Sequence, residues 1–269
     1  MSGAHEPLPC RLCDRPATWR FDGTVLGRHR TGYYTCAECG LTQTRDPDWL
    51  DEAYAEAIST LDTGLVARNL SLRPVVGTFL HLSGVRDRPC LDWGGGLGLF
   101  TRLMRDAGFV FHWTDPYAVN LLARGFEWSD MRGGPFAVTA FEVLEHLPRP
   151  LETFRTIAAL GAEFILTTTE LVPGEAPDPG WWYLSARTGQ HVAFYHARTI
   201  ERLGRETGYP HVIAGPYRQV FARRPFPAWR WRLAMRLGRA LFPLLRRTRH
   251  SLTMSDHEAR VRALEEPDR

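Results

Sequence analysis

The chain of 269 residues contains no lysine, and all 33 of its basic residues are arginine. Without an ε-amino group, Schiff-base and pyridoxal chemistry are excluded. The Gly-Lys pair of a phosphate-cradling P-loop is missing for the same reason. No apolar run reaches the roughly 18 residues of a membrane span. The first residues lack the apolar core of a secretory leader, so the expected location is the cytoplasm. Cysteine is sparse, with five in all, and nothing points to the oxidising compartment a disulfide scaffold needs. What is present is ordinary for a globular protein: 44% hydrophobic and 23% charged residues, enough for one sizeable core and an appendage. No internal repeat is apparent.

Four of the cysteines fall into two pairs, Cys10-x-x-Cys13 and Cys36-x-x-Cys39, with 22 residues between them. Each pair can form a tight turn that aims two thiolates at one tetrahedral ion, and Gly40 supplies the glycine that such a turn favours. The expectation is a Zn2+ site with Cys10, Cys13, Cys36 and Cys39 as ligands, structural because protein fills all four positions. Residues 31–35 read as a strand entering the second pair, and Cys90 as core packing.

The centre of the chain is Leu91-Asp92-Trp93-Gly94-Gly95-Gly96-Leu97-Gly98-Leu99. An apolar approach ending in an acid, then glycines, then a helical pattern over 99–107 reads as strand, loop and helix, with glycine allowing close backbone approach to a ligand. The dinucleotide fingerprint would need glycine where Leu99 stands. The remaining Asp-x-Gly-x-Gly-x-Gly pattern resembles the first motif of the class I S-adenosylmethionine-dependent methyltransferases. Val110 to Asp115 resembles their second strand, with its acid 23 positions after Asp92. Phe136 to Leu147, containing Glu142-Val143-Leu144-Glu145-His146, resembles the fourth strand and its loop in the small-molecule branch. Ala137 departs from that pattern, since many relatives carry an acid there. The later run Gly189 to Tyr195 resembles methyltransferases associated with sugar and polysaccharide genes.

The resemblance implies an α/β fold, a Rossmann-like class I methyltransferase sheet with helices on both faces, plus the small N-terminal zinc-binding module. It implies S-adenosylmethionine held by Asp92, Gly94, Gly95, Gly96, Gly98, Asp115, Pro116, Phe141 and Glu142, with Asp115 on the ribose. The segments expected are a zinc-binding module (1–45), a helical cofactor-covering segment (46–84), the methyltransferase domain (85–225) and a basic amphipathic extension (226–269). Within these, Asp48 reads as a helix N-cap and 65–82 as a helix despite Pro74. Asp62, Arg68 and Asn69 are candidates to face the cofactor or to form a solvated polar set. Residues 116–124 fit a helix and 125–126 a third strand. Helices over 148–160 and 197–207, and strands over 163–169 and within 211–222, complete an alternating pattern.

Between the fifth strand and the next helix lies an unusually long connection, 170–196. Loops of this length in a compact domain commonly carry function. It holds Trp181, Trp182, Tyr183, Gln190, His191, Tyr195 and His196. Transfer to a hydroxyl needs a general base, and histidine suits neutral pH. His191 is the first candidate, His146 beside Glu145 the rival, and Tyr195 a candidate to orient the acceptor. Each has a structural counterpart: a histidine hydrogen-bonding its own loop, or an aromatic in the core.

Residues 218–249 contain ten arginines and no acid. Their spacing reads as a basic amphipathic helix ending at Pro243, which can pack on the domain, lie on an anionic membrane, or meet nucleic acid. The reading that combines these features is a methyltransferase acting on a small-molecule acceptor, a sugar or glycoconjugate favoured. The alternatives are a zinc-ribbon RNA methyltransferase and a catalytically inactive methyltransferase-fold binding protein. Nucleic acid is the disfavoured partner because no Asn-Pro-Pro-aromatic signature follows the fourth strand.

Overall fold

The computed structural model describes residues 5–128 and 134–265. In chain order these contain β1 (Leu8–Pro9), β2 (Pro16–Val25), β3 (His29–Cys36), β4 (Thr42–Thr44), α1 (Leu50–Ala53), α2 (Leu65–Leu82), β5 (Cys90–Trp93), α3 (Leu99–Asp106), β6 (Phe111–Thr114) and β7 (Ala137–Phe141). They continue with α4 (Pro150–Ala159), β8 (Phe164–Thr168), β9 (Ala193–Phe194), α5 (Ala197–Glu206), β10 (His211–Ala214), β11 (Arg218–Ala222), α6 (Ala228–Arg246) and α7 (Thr253–Glu265). Hydrogen-bonded neighbours run β1-β2-β3-β4-β9 in one sheet and β10-β11-β8-β7-β5-β6 in the other. The chain divides into two compact units, Met1–Leu61 with Ala140–Pro225, and Asp62–Thr139 with Phe226–Arg269, the division falling within β7. The first four residues of the expected zinc-binding module and the last four of the expected C-terminal extension lie outside the described residues.

In the unit of 62–139 and 226–269, β5 is parallel to β6 and to β7, with Cys90 opposite Phe111 on one side and Ala137 on the other. The first three residues of β5 and the first four of β7 are buried, the near-continuous burial expected of parallel strands covered on both faces. This is the mixed α/β fold with a parallel core that the motifs imply. α2 packs along α6 through small residues. A Cβ on Gly77 would stand 2.2 Å from the ring of Phe242, so only glycine admits that ring. Trp231, Ala234, Gly238 and Phe242 form the buried stripe of α6, while Trp229, Leu237 and Leu244 stay exposed among the arginines.

In the other unit, β2 and β3 form an antiparallel hairpin and β4 extends it. The far edge of β4 pairs with β9, Thr42 opposite Phe194 and Gln43 opposite Ala193. Tyr33, Val172, Tyr183, Leu184 and Phe194 form one core cluster, and Val25, Trp49, Ala53 and Val192 another. The connection 170–196 is therefore built into the N-terminal sheet. The indole of Trp49 donates to the Gly189 carbonyl (2.8 Å), and the side-chain amide of Gln190 donates to the Ala53 carbonyl (2.9 Å). β8 pairs antiparallel with β11, and β11 with β10. α4 begins with Pro150 in its first turn, where the missing N–H costs nothing.

Several local expectations are corrected. Residues 116–124 form bends and turns, with no helix. Asp115 accepts from the Tyr117 and Ala118 amides (both 2.8 Å) and Asn120 from the Ala123 amide (2.9 Å), so side chains replace helical partners. The third strand reduces to a single parallel bridge, Trp113 to Glu127. α1 is one turn capped at Trp49 without a side-chain bond, so Asp48 is not its cap. α6 continues through Pro243 to Arg246 because Phe242, buried against α2, anchors that turn. Asp62 and Arg68 pair with each other (2.6 Å), and the Asn69 amide donates to the Leu65 carbonyl.

α7 is held by a buried ion pair. Asp256 accepts from Arg105 at 2.8 and 2.5 Å, and Arg102 lies 2.8 Å from the same carboxylate. Burial pushes the Asp256 carboxyl up, but the Arg105 and Arg102 guanidiniums outweigh it and hold it below its ordinary value. Asp256→Ala would leave Arg105, 7% exposed, without its counter-charge. Equilibrium denaturation is expected to show a loss of about 3–5 kcal/mol, as for other broken buried pairs. A loss below about 1 kcal/mol, the range of exposed pairs, would contradict the packing of α7.

Candidate active site

The loop after β5 is shaped by its glycines and by three neighbouring side chains. Gly94, Gly96 and Gly98 have φ of 69°, 54° and 83°. A Cβ on Gly95 would meet Trp113 at 2.6 Å and Asp92 Oδ2 at 2.8 Å. The Trp113 indole donates to the Gly96 carbonyl (2.9 Å), and the Gly96 amide donates to Asp115 Oδ2 (2.9 Å). Asp115 is thus tied to the glycine loop through one oxygen and caps its own turn through the other. Pro116 follows it, exposed.

Asp92 lies beneath this loop, 3% exposed. Thr139 donates to its Oδ1 at 2.8 Å and Thr101 to its Oδ2 at 3.2 Å. Burial raises its pKa to about 7 against these two hydroxyls, and the charge of Asp115 adds to the rise. Thr101, Trp113 and Thr139 hold Asp92 and the loop in place and are positions that motif reading missed; the alternation of polar and apolar residues in β6 and β7 is a signal for the last two only.

In the other unit, β7 ends at Phe141, half-buried, and Glu142 follows with φ of 53°, a left-handed backbone that only Gly adopts freely. Glu142 is clamped by Thr168: its amide donates to the Thr168 carbonyl (3.1 Å), and the Thr168 hydroxyl donates to its Oε1 (2.7 Å).

Next to it, Glu145, His146 and His191 place one ligand-type atom each within 4.8 Å of one another. The His146 and His191 rings meet edge to face, 4.9 Å between centroids. His191 Nδ1 lies 2.7 Å from the Tyr183 carbonyl oxygen. A carbonyl only accepts, so Nδ1 carries the proton and Nε2 carries the lone pair of the neutral ring. His146 Nδ1 is 2.9 Å from the Tyr54 hydroxyl. Glu145 is fully buried. The Tyr183 hydroxyl donates to its Oε1 at 2.5 Å, and its Oε2 has no hydrogen-bond partner among the described residues. Burial, then the nearby charge of Glu142, raises the Glu145 pKa to about 8.

The structure thus brings together His191, His146 and Glu145, and recruits Tyr54 and Tyr183, which sequence spacing could not connect. Tyr195 does not join them as an acceptor-orienting group. It is fully buried and its hydroxyl donates to the Leu144 carbonyl (2.8 Å), a packing role.

The four N-terminal cysteine sulfurs also lie within 4.8 Å of one another, Cys10 and Cys39 at 3.5 Å and Cys13 and Cys36 at 3.6 Å. The two turns repeat one backbone pattern: Asp14 donates to the Cys10 carbonyl and Gly40 to the Cys36 carbonyl, both 2.9 Å. The Thr199 hydroxyl donates to the Cys39 carbonyl (2.8 Å), linking the second turn to the start of α5.

Residues 67–212 match a family profile described as "Methyltransferase domain". The chain belongs to that family, the class I S-adenosylmethionine-dependent methyltransferases. No curated protein sequence matches it. Among solved structures, magnesium protoporphyrin IX methyltransferase from Synechocystis PCC 6803 with bound S-adenosylmethionine is similar at 15% identity and a TM-score of 0.42, over 65% of this chain and 88% of that one. Human N-acetylserotonin methyltransferase is similar at 15% identity and a TM-score of 0.42, over 57% of this chain and 51% of that one. An O-methyltransferase family protein from Burkholderia thailandensis is similar at 16% identity and a TM-score of 0.41, over 60% and 56%.

A carboxyl whose folded pKa lies above its unfolded value binds more protons when folded. The stability it contributes is present in acid and is lost as pH rises from 3.8 through about 7. Asp92→Asn is expected to remove that share of the pH dependence and to raise the melting temperature of the ligand-free protein above pH 7. Melting curves across this range that superimpose with those of the wild type would contradict the burial of a titrating Asp92.

Proposed function

We propose that this enzyme methylates a hydroxyl of a small-molecule acceptor, a sugar or glycoconjugate favoured, and that the hydroxyl is ionised at the Glu145–His146–His191 cluster. The observation that carries this reading is the Nδ1–H bond of His191 to the Tyr183 carbonyl, which turns the basic nitrogen of the ring to other partners beside His146 and Glu145. The indole of Trp182, 74% exposed, adds an apolar face in the same segment for a ring-shaped acceptor.

The cofactor loop fits S-adenosylmethionine: a Cβ would fill the space at Gly95, and a buried carboxylate waits beneath the loop for a cationic group. Bound there, the cofactor supplies an electrophilic methyl on a sulfonium. Asp92 would hold its amino group, the amides and glycines of 94–98 its chain, and Asp115 with Pro116 its ribose side. Asp115 accepts from three amides and keeps about one of its four acceptor sites, on Oδ2, for a ribose hydroxyl. The acceptor hydroxyl loses its proton at the histidine cluster, and its oxygen gains the methyl.

The four cysteines would hold Zn2+ as a closed four-thiolate site whose task is structural, supported by the 3.5 and 3.6 Å sulfur contacts across the two turns.

Calorimetry with S-adenosylhomocysteine is expected to show binding that Asp115→Ala weakens by about 1.5–3 kcal/mol, the range for hydrogen bonds to a charged group. His191→Ala is expected to lower kcat roughly 10²–10⁴-fold while that affinity holds. Loss of both together would assign His191 to the fold. Metal analysis of the purified protein is expected to find about one zinc per chain, as a four-thiolate site requires. Cys36→Ser should release it and loosen β3, β4 and β9. A protein free of zinc and iron with a cooperative unfolding transition would contradict the metal.

A further inference from the structure

The Glu145–His146–His191 cluster is chemically more than a base. Both histidines are fixed through Nδ1, His191 by a main-chain carbonyl and His146 by the Tyr54 hydroxyl. This is how ligating histidines are usually oriented: one nitrogen on an outer partner, the other turned to the ion. Glu145 is held in the same way, its Oε1 receiving the Tyr183 hydroxyl while Oε2, fully buried, has no hydrogen-bond partner among the described residues. A carboxylate oxygen without a partner inside a protein is costly unless a cation or proton meets it. The neighbouring Glu142 adds charge of the same sign, which a bound cation would offset.

We infer that Glu145, His146 and His191 form a site for one divalent metal ion of the Mn2+-to-Zn2+ series, distinct in chemistry from the four-cysteine site. The donors are two imidazole nitrogens and one carboxylate oxygen, whose atoms lie within 4.8 Å of one another. Two histidines and a carboxylate leave coordination positions open, in contrast to four thiolates, which close them. The set suits borderline divalent ions better than Mg2+ or Ca2+, which prefer all-oxygen cages. This assignment rests on the hydroxyl-acceptor reading above and says how the hydroxyl is ionised. An acceptor oxygen takes an open position, its O–H bond breaks as the metal–oxygen bond forms, and the proton leaves to water. His191 is then a ligand, and the ion does the work of a base. Tyr183 and Tyr54 are positioning residues that hold the ligands.

The test uses the full-length protein dialysed against a chelator under conditions that leave thiolate-bound zinc in place. Mn2+, which thiolates hold poorly, is titrated in while the electron paramagnetic resonance of the free aqua ion is followed. One equivalent is expected to bind. Glu145→Gln, which keeps the shape of the side chain, and His191→Ala should each weaken binding by at least ~100-fold, beyond the 10–100-fold typical of an outer partner. Tyr183→Phe should fall within that 10–100-fold range. S-adenosylhomocysteine affinity, measured on the same samples, should stay unchanged and serves as the check on folding. If His191→Ala loses that affinity, Glu145→Gln decides. Wild-type protein that binds S-adenosylhomocysteine but leaves millimolar Mn2+ free would overturn the metal site and leave the methyltransferase reading standing. Mn2+ binding that survives Glu145→Gln would overturn it too. Mn2+ binding without S-adenosylhomocysteine binding would keep the site and remove the cofactor assignment instead.

Discussion

A carboxylate buried at the end of β5 sets the terms for everything around it. Asp92 needs hydrogen bonds because an unpaired charge inside a protein is costly. Thr139 and Thr101 supply them from the strand beside it and the helix after it. Those two bonds make β7 and α3 part of one arrangement, and the glycine loop is what lets the chain turn directly above the acid. Trp113 then fixes the loop through the Gly96 carbonyl, and Asp115 through the Gly96 amide. The glycine-loop side of the enzyme is thus assembled around one group whose burial is unfavourable by itself and is offset by the two threonine hydroxyls.

The histidine side is assembled by different means. Its residues lie on a short turn after β7 and on the long connection after β8. What orders the connection is the N-terminal sheet: β9 completes the edge of β4, and Val192 joins the cluster of Val25 and Trp49. The Val192 amide also donates to the Glu145 carbonyl at 2.8 Å, so the strand that anchors His191 positions Glu145 as well. The cysteine turns contribute at one remove, since they flank β3 and β4 and touch the start of α5 through Thr199.

How much of this was legible in the sequence follows from the range of each interaction. β5, α3 and β6, with the acids at their ends, were readable because hydrophobic period and glycine placement act within about ten residues. The bounds of α2 were readable for the same reason, Pro74 notwithstanding. Residues 116–124 were misread because composition resembles a helix while Asp115 and Asn120 spend their oxygens on nearby amides. For Tyr195 the acceptor-orienting and core readings both stay open in the sequence, because a loop aromatic shows no sign of its burial. The bond from Tyr183 to Glu145 spans 38 residues, and the pair of Arg105 with Asp256 spans 151. No local pattern announces either, and α7 was accordingly not foreseen. The cysteine spacing identified its four partners but not the sheet they serve.

Glu142 gives the clearest case of side-chain chemistry and backbone preference pulling in opposite directions. Its φ of 53° is one that glycine would occupy without strain, and the three-point grip of Thr168 is what holds a longer residue there. A residue held against its own conformational preference costs of order 1–3 kcal/mol. Replacing it with glycine would therefore relax the main chain at the same position where it deletes a carboxylate. Selection for thermal robustness alone would drift towards that glycine unless the Thr168 hydrogen bonds offset the strain, so position 142 weighs side-chain bonding directly against backbone preference.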